Sequence, residues 1–182
     1  MNYLFAAILF TTSLFASYET PYRLLTAKDS QGFSVEMDDG AMWRITDNGS
    51  AAVVTQWRSN DSLVIHPTMF SSLSGGRFYI LNERLRTAAV AELSYGPILG
   101  RPGNSRIIYI DSMNCAVQLQ DGTGKTVMFR LNPNDRFLFQ KWQYGDTIIL
   151  GSNQNCYAGW LSTYPYILIN FESDNYVRAT LN

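Results

Sequence analysis

Hydrophobic and polar positions alternate with a period of two along most of this chain, and they do so in two rounds. Val35 and Met37 alternate with Glu36 and Asp38, as Val117 and Leu119 do with Gln118 and Gln120. Such alternation puts successive side chains on opposite faces of a strand, one face buried and one wet. The runs that follow it come in matched pairs: 42–46 with 127–131, 53–57 with 137–142, 63–66 with 147–150, 78–82 with 166–170, and 88–93 with 176–181. A run at 22–27 or 106–110 opens each round. Every one of these runs predicts a strand, and no segment of useful length carries helical spacing apart from a weak run at 67–73.

The two rounds share letters as well as rhythm. Val35-Glu36-Met37-Asp38-Asp39-Gly40 is answered by Val117-Gln118-Leu119-Gln120-Asp121-Gly122. Trp57, Asp61, Leu63 and Ile65 are answered by Trp142, Asp146, Ile148 and Leu150, and Ile80, Asn82, Ala91 and Leu93 by Leu168, Asn170, Ala179 and Leu181. Asp39-Gly40 and Asp121-Gly122 are hairpin dipeptides, because both residue types accept positive φ cheaply. Asp47-Asn48-Gly49-Ser50 and Asn132-Pro133-Asn134-Asp135 read as turns at a matched corner. Between the rounds, 94–104 is rich in Gly and Pro and reads as a linker. The expected fold is therefore all-β: two tandem five- to six-stranded antiparallel barrel- or sandwich-like repeats, 18–93 and 105–182. A unit of that size buries little surface alone, so the two should pack together.

Residues 1–17 stand outside the repeat. Their apolar run, 4–15, is shorter than the roughly 20 residues a membrane-spanning helix needs. Small residues Ala16 and Ser17 follow it, as in a signal peptide. The expectation is export, to the periplasm and cell envelope or beyond, with no transmembrane span. The two cysteines, Cys115 and Cys156, both lie in the second repeat. In an exported protein they could form one disulfide; the alternative is two buried thiols.

Charge narrows the function classes. The formal net charge is −1, and the 14 Lys and Arg are scattered. A nucleic-acid binder needs a basic stripe to displace counterions from phosphates, and no such stripe is visible. His66 is the single histidine, which leaves no His-rich metal site. Gly124-Lys125-Thr126 resembles the end of a phosphate loop, but Leu119 stands where the first glycine is required and a strand follows where a helix should. No cofactor and no metal are expected.

Asp61 and Asp146 each follow a tryptophan by four residues. Two identical lone carboxylates seldom both do catalysis, so they read as turn-capping acids, and Trp57 and Trp142 as core anchors. No catalytic residue is assigned. The repeats diverge most after the fourth strand of each, where the second carries a loop rich in Tyr, Trp and Asn, a composition typical of contact surfaces. Tyr157, Trp160, Tyr164 and Tyr166 are the candidate binding residues there, for protein or glycan; the alternative is packing over the barrel end.

The repeated Asp-Gly, aromatic-Arg-aliphatic, Trp-x-x-x-Asp and Asn signature covers nearly all of the chain after the leader. It resembles small exported β proteins of bacteria, some from intracellular bacteria such as chlamydiae. That resemblance implies an envelope or secreted location and nothing catalytic. The leading expectation is a non-enzymatic exported module that binds or builds structure. Two others stand beside it: an envelope-polymer hydrolase using Asp61, Asp146 or Glu172, and a secreted effector or adhesin engaging a host protein.

Overall fold

The computed structural model describes residues 21–68, 76–101, 103–154 and 163–182. The leader, Tyr157, Trp160 and Cys156 lie outside these residues.

The first repeat contains β1 (Tyr22–Lys28), β2 (Ser34–Met37), β3 (Met42–Ile45), α1 (Asn48–Val54), β4 (Ser62–Pro67), β5 (Arg77–Asn82) and β6 (Thr87–Tyr95). The second contains β7 (Ser105–Asp111), β8 (Ala116–Asp121), β9 (Thr126–Leu131), a 3-10 turn (Pro133–Asp135), α2 (Arg136–Phe139), β10 (Thr147–Ser152), β11 (Tyr166–Asn170) and β12 (Asn175–Leu181). Each set of six strands closes into a barrel. The order round the first is β1-β2-β3-β6-β5-β4 and round the second β7-β8-β9-β12-β11-β10. These are one topology written twice.

The copies share the irregularity of their opening strand. A register shift falls between Leu25 and Ala27 in β1, and between Ile107 and Tyr109 in β7. At each shift the bulge bends the opening strand so that the barrel can close. Inside the first barrel Trp43 meets Phe78 edge-on at 5.5 Å; inside the second Phe129 meets Tyr166 edge-on at 5.8 Å. The same two strand positions supply the pair in both.

One expectation fails in both copies. Runs 53–57 and 137–142 are not strands. The first continues a short helix and the second a helix with a 3-10 turn before it. Asp47 caps α1 by accepting from Ser50 N at 2.8 Å and Ser50 Oγ at 2.7 Å. Asn132 caps the second helical segment through Asn134 N at 3.0 Å, with Pro133 at its first position. Those letters are helix-starting signals as well as turn signals. Each helix bridges the third and fourth strands and adds buried apolar side chains to its barrel's core, Ala51 and Val54 in the first and Phe139 in the second.

The barrels pack through equivalent strands, β4 against β10. Gly151 of β10 lies so close that a Cβ there would sit 2.6 Å from the Ile65 carbonyl oxygen. Ile149, Ile167 and Ile169 join the apolar cluster of the first barrel, and Tyr176 meets Phe78 edge-on at 5.8 Å. This explains why β11 is buried at every position while β5 alternates, with Tyr79 44% exposed. Among the described residues, no helix is long and apolar enough to cross a membrane.

Candidate functional site

The shared polar residues hold the scaffold. In the first barrel Asp61 Oδ2 accepts from Arg58 N at 2.8 Å and from Asn82 Nδ2 at 2.6 Å; Asn82 Oδ1 accepts from Leu85 N at 3.0 Å. In the second, Asp146 Oδ2 accepts from Gln143 N at 2.8 Å and from Asn170 Nδ2 at 2.7 Å; Asn170 Oδ1 accepts from Ser173 N at 2.8 Å. Trp57 Nε1 donates to Thr87 Oγ1 at 3.0 Å, and Trp142 Nε1 to Asn175 Oδ1 at 2.7 Å. Each Asp–Asn–Trp set ties the turn before the fourth strand to the fifth–sixth hairpin. Two residues past the asparagine the copies differ. Arg84 grips Asp61 at 2.5 and 2.8 Å and holds its carboxyl far below the usual carboxylate range, while the matching Glu172 instead accepts from Thr147 N at 2.9 Å.

A further polar side chain of each copy serves the same end. Asp135 accepts from Arg178 N at 2.8 Å and from its guanidinium at 2.9 and 2.6 Å, where Ser50 Oγ accepts from Val90 N at 3.0 Å in the first barrel. Among the described residues no three His, Cys, Asp or Glu side chains are grouped as metal ligands.

The candidate binding residues divide. Tyr166 is corrected: it is 8% exposed inside the second barrel against Phe129. As the first residue of β11 it shares a face with Leu168, and that face points inward. Tyr164 is half-buried, and its carbonyl accepts from Asn153 Nδ2 at 2.9 Å, which fixes the foot of the loop. Tyr157 and Trp160 fall outside the described residues. Cys115 is a free thiol, 7% exposed in the second core.

Among the described residues the copies part most clearly at their second hairpins. In the first barrel, Asp39, Gly40 and Ala41 are buried, and Ile98 of the linker seats directly on Gly40: a Cβ there would lie 2.7 Å from Ile98 Cγ1. In the second barrel Gly122, Thr123, Gly124 and Lys125 are exposed. Between that open hairpin and the linker runs a cleft of about 500 Å³. Leu99 and Gly100 form one wall, Gln120 to Gly124 the other, and Asn104 and Arg106 stand between them. Arg106 Nη2 donates to Gln120 Oε1 at 3.0 Å. Asn104 is 4% exposed, and its Nδ2 has no hydrogen-bond partner.

The hairpin is not a phosphate cradle. Asp121 Oδ1 already accepts from Thr123 N at 2.9 Å, Thr123 Oγ1 at 2.6 Å and Lys125 N at 3.0 Å. Burial pushes this carboxyl up, but the Thr123 hydroxyl and N–H, the Lys125 N–H and the Lys125 charge outweigh it and hold it ionised. A carboxylate thus sits where an incoming anion would bind.

The sequence offered no sign of this cleft. Its linker wall read only as a spacer, and the exposure of one hairpin over the other depends on where Ile98 lands. Compared with protein-family models, curated proteins and solved structures, the chain matches none.

Proposed function

We propose that the chain is an exported, non-enzymatic β-repeat protein, a binding or structural module of the cell envelope, and that it contacts a protein or glycan partner through the cleft of the second barrel. One observation carries the reading. The polar side chains that the two copies share are engaged in turns and closures, whereas the hairpin that differs between them is sealed in one copy and open over a cleft in the other. Loops on a rigid β scaffold are where contacts concentrate. The carboxylates a hydrolase would need are each committed to backbone and side-chain donors: Asp61 to Arg58, Asn82 and Arg84, Asp146 to Gln143 and Asn170, Glu172 to Thr147.

The test is site-specific photo-crosslinking in cell-envelope fractions. A photoreactive phenylalanine in place of Thr123 should give a discrete adduct that Arg106→Ala abolishes. The same group in place of Met113, 89% exposed at the opposite end of β8, should not. Equal adducts from both positions, or insensitivity to Arg106→Ala, would remove the cleft. Recovery of the chain from the cytosol with its leader intact would remove the envelope.

A further inference from the structure

Seven buried side-chain nitrogen or oxygen atoms among the described residues lack a hydrogen-bond partner, and three of them belong to residues that meet at one junction under Gly103: Arg23 Nε, Asp38 Oδ1 and Asp39 Oδ2. Buried polar groups are nearly always paired, so such a concentration calls for a reason. We propose that Arg23, Asp38 and Asp39 form a proton-operated latch that grips the inter-barrel linker more tightly in acid than at neutral pH.

The geometry is that of two acids sharing one base. Asp39 is fully buried; its Oδ1 accepts from Ala41 N at 2.9 Å, and its Oδ2 faces Arg23 Nε at 3.5 Å, an ion-pair distance too long for a good hydrogen bond. Asp38 stands beside it with an unpartnered oxygen. The linker passes directly over this group at Gly103, where a Cβ would lie 3.1 Å from Arg23 Nη1, 3.1 Å from Asp39 Cβ and 3.4 Å from Asp38 Oδ1. A second tether joins the same hairpin to the linker: Ile98 N donates to the Asp39 carbonyl at 2.9 Å.

The other charges round the junction are balanced. Glu36 of β2 pairs with Arg101 of the linker at 3.7 Å. From the second barrel, Asp121 and Lys125 line a slot of about 240 Å³ together with Arg23, and the Lys125 charge acts on Asp121. What the junction lacks is one proton. Placed on Asp39 Oδ2, it removes the buried charge of an orphan acceptor and the repulsion between the two neighbouring acids beside Arg23. Burial pushes the Asp39 carboxyl up, Arg23 and the Ala41 N–H pull against that, and Asp38 adds to the rise. A carboxyl raised in the folded state contributes stability that is full below its ordinary value of 3.8 and is lost as pH rises through the folded value. The latch therefore tightens on acidification. Because Leu99 and Gly100 form a wall of the cleft, proton uptake would also set how firmly that wall is held; only this consequence rests on the binding reading above.

The test needs no ligand. In the ¹⁵N-labelled full chain, the Ile98 and Asn104 amide resonances should titrate together between pH 4 and 7.5. Their exchange protection, corrected for intrinsic pH dependence, should rise at least about threefold in acid. Asp39→Asn, an isostere of the protonated acid, should hold both amides at the acid position throughout. Arg23→Gln should move the midpoint upward, and Asp38→Asn should move it downward. Amides that stay flat across the range, or a titration that survives in Asp39→Asn, would overturn the latch and leave the crosslinking result untouched.

Discussion

Asn82 Nδ2 donates to Asp61 Oδ2 at 2.6 Å, and the same bond recurs at 2.7 Å between Asn170 and Asp146. The repetition separates what the bond does from what surrounds it. Asp61 also carries the Arg84 guanidinium; Asp146 has no arginine partner. Asp61→Ala removes a buried carboxylate whose Arg84 partner is exposed and strands Asn82, so it should cost about 2 kcal/mol, most of it from the lost hydrogen bonds. Asp146→Ala loses neutral-donor bonds alone and should cost about 1.5 kcal/mol. Equilibrium urea unfolding of the two variants checks both the size and the order.

The same arginine sets an acid limit. Arg84 holds the folded Asp61 carboxyl far below the value of 3.8 it has when unfolded. A carboxylate depressed in the fold contributes stability that is present above its unfolded value and lost as pH falls through the folded one. Asp61 should add nothing to the pH dependence of the urea midpoints above about pH 5 and should make them drop below about 4. Arg84→Gln should be less stable at pH 7 and show a shallower drop. An equal slope in both proteins would mean that other carboxylates carry the acid transition.

The barrels were legible in the sequence because each strand needs only its own period of two and a turn at its end; Val35–Met37 and Asp39-Gly40 are enough to draw a hairpin. The helices were not, because seven and four residues complete too few turns to show a period of 3.6. Tyr166 opens a run that reads as a strand, and its inward face follows from Leu168 two residues on, but the Tyr- and Trp-rich loop before it drew it into the candidate binding set. Arg23 and Asp39 gave no signal, since nothing local says that a hairpin will fold one back onto the other. Their importance also rests on Gly103, a linker glycine that reads as a spacer until its neighbours are known.

Gly151 should be the least tolerant glycine in the second barrel. Its missing Cβ would meet the Ile65 carbonyl oxygen at 2.6 Å and Ile167 Cγ1 at 2.8 Å, and backbone cannot step aside as a side chain can. Gly151→Val should cost about 1–3 kcal/mol by forcing β10 away from β4. Gly124 has open space round it, so Gly124→Ala meets only the strain of its φ of +88°, about 1 kcal/mol. Thermal melts of the pair rank the two effects, and a Gly151→Val protein as stable as Gly124→Ala would mean that the seam can spread.

His66 occupies the place in β4 that Gly151 occupies in β10, and it is buried at the same seam. It is 5% exposed, with neither ring nitrogen in a hydrogen bond of good geometry. Burial pushes its pKa below the ordinary 6.5, against weaker upward pulls from the Ser152 backbone and the Glu83 charge. The imidazole is therefore neutral in the fold, while the unfolded chain takes up a proton below about pH 6.5. Its contribution to stability is full above that pH and declines as pH falls toward the folded value. His66→Phe, which keeps the ring and removes the charge, should abolish the part of the pH dependence that sets in below about 6.5 and leave the steeper loss below about 4 in place. Urea midpoints at pH 7, 6 and 5 for both proteins check this. A wild-type curve that is already level across that range, or one that His66→Phe does not alter, would show that the seam accommodates the imidazolium.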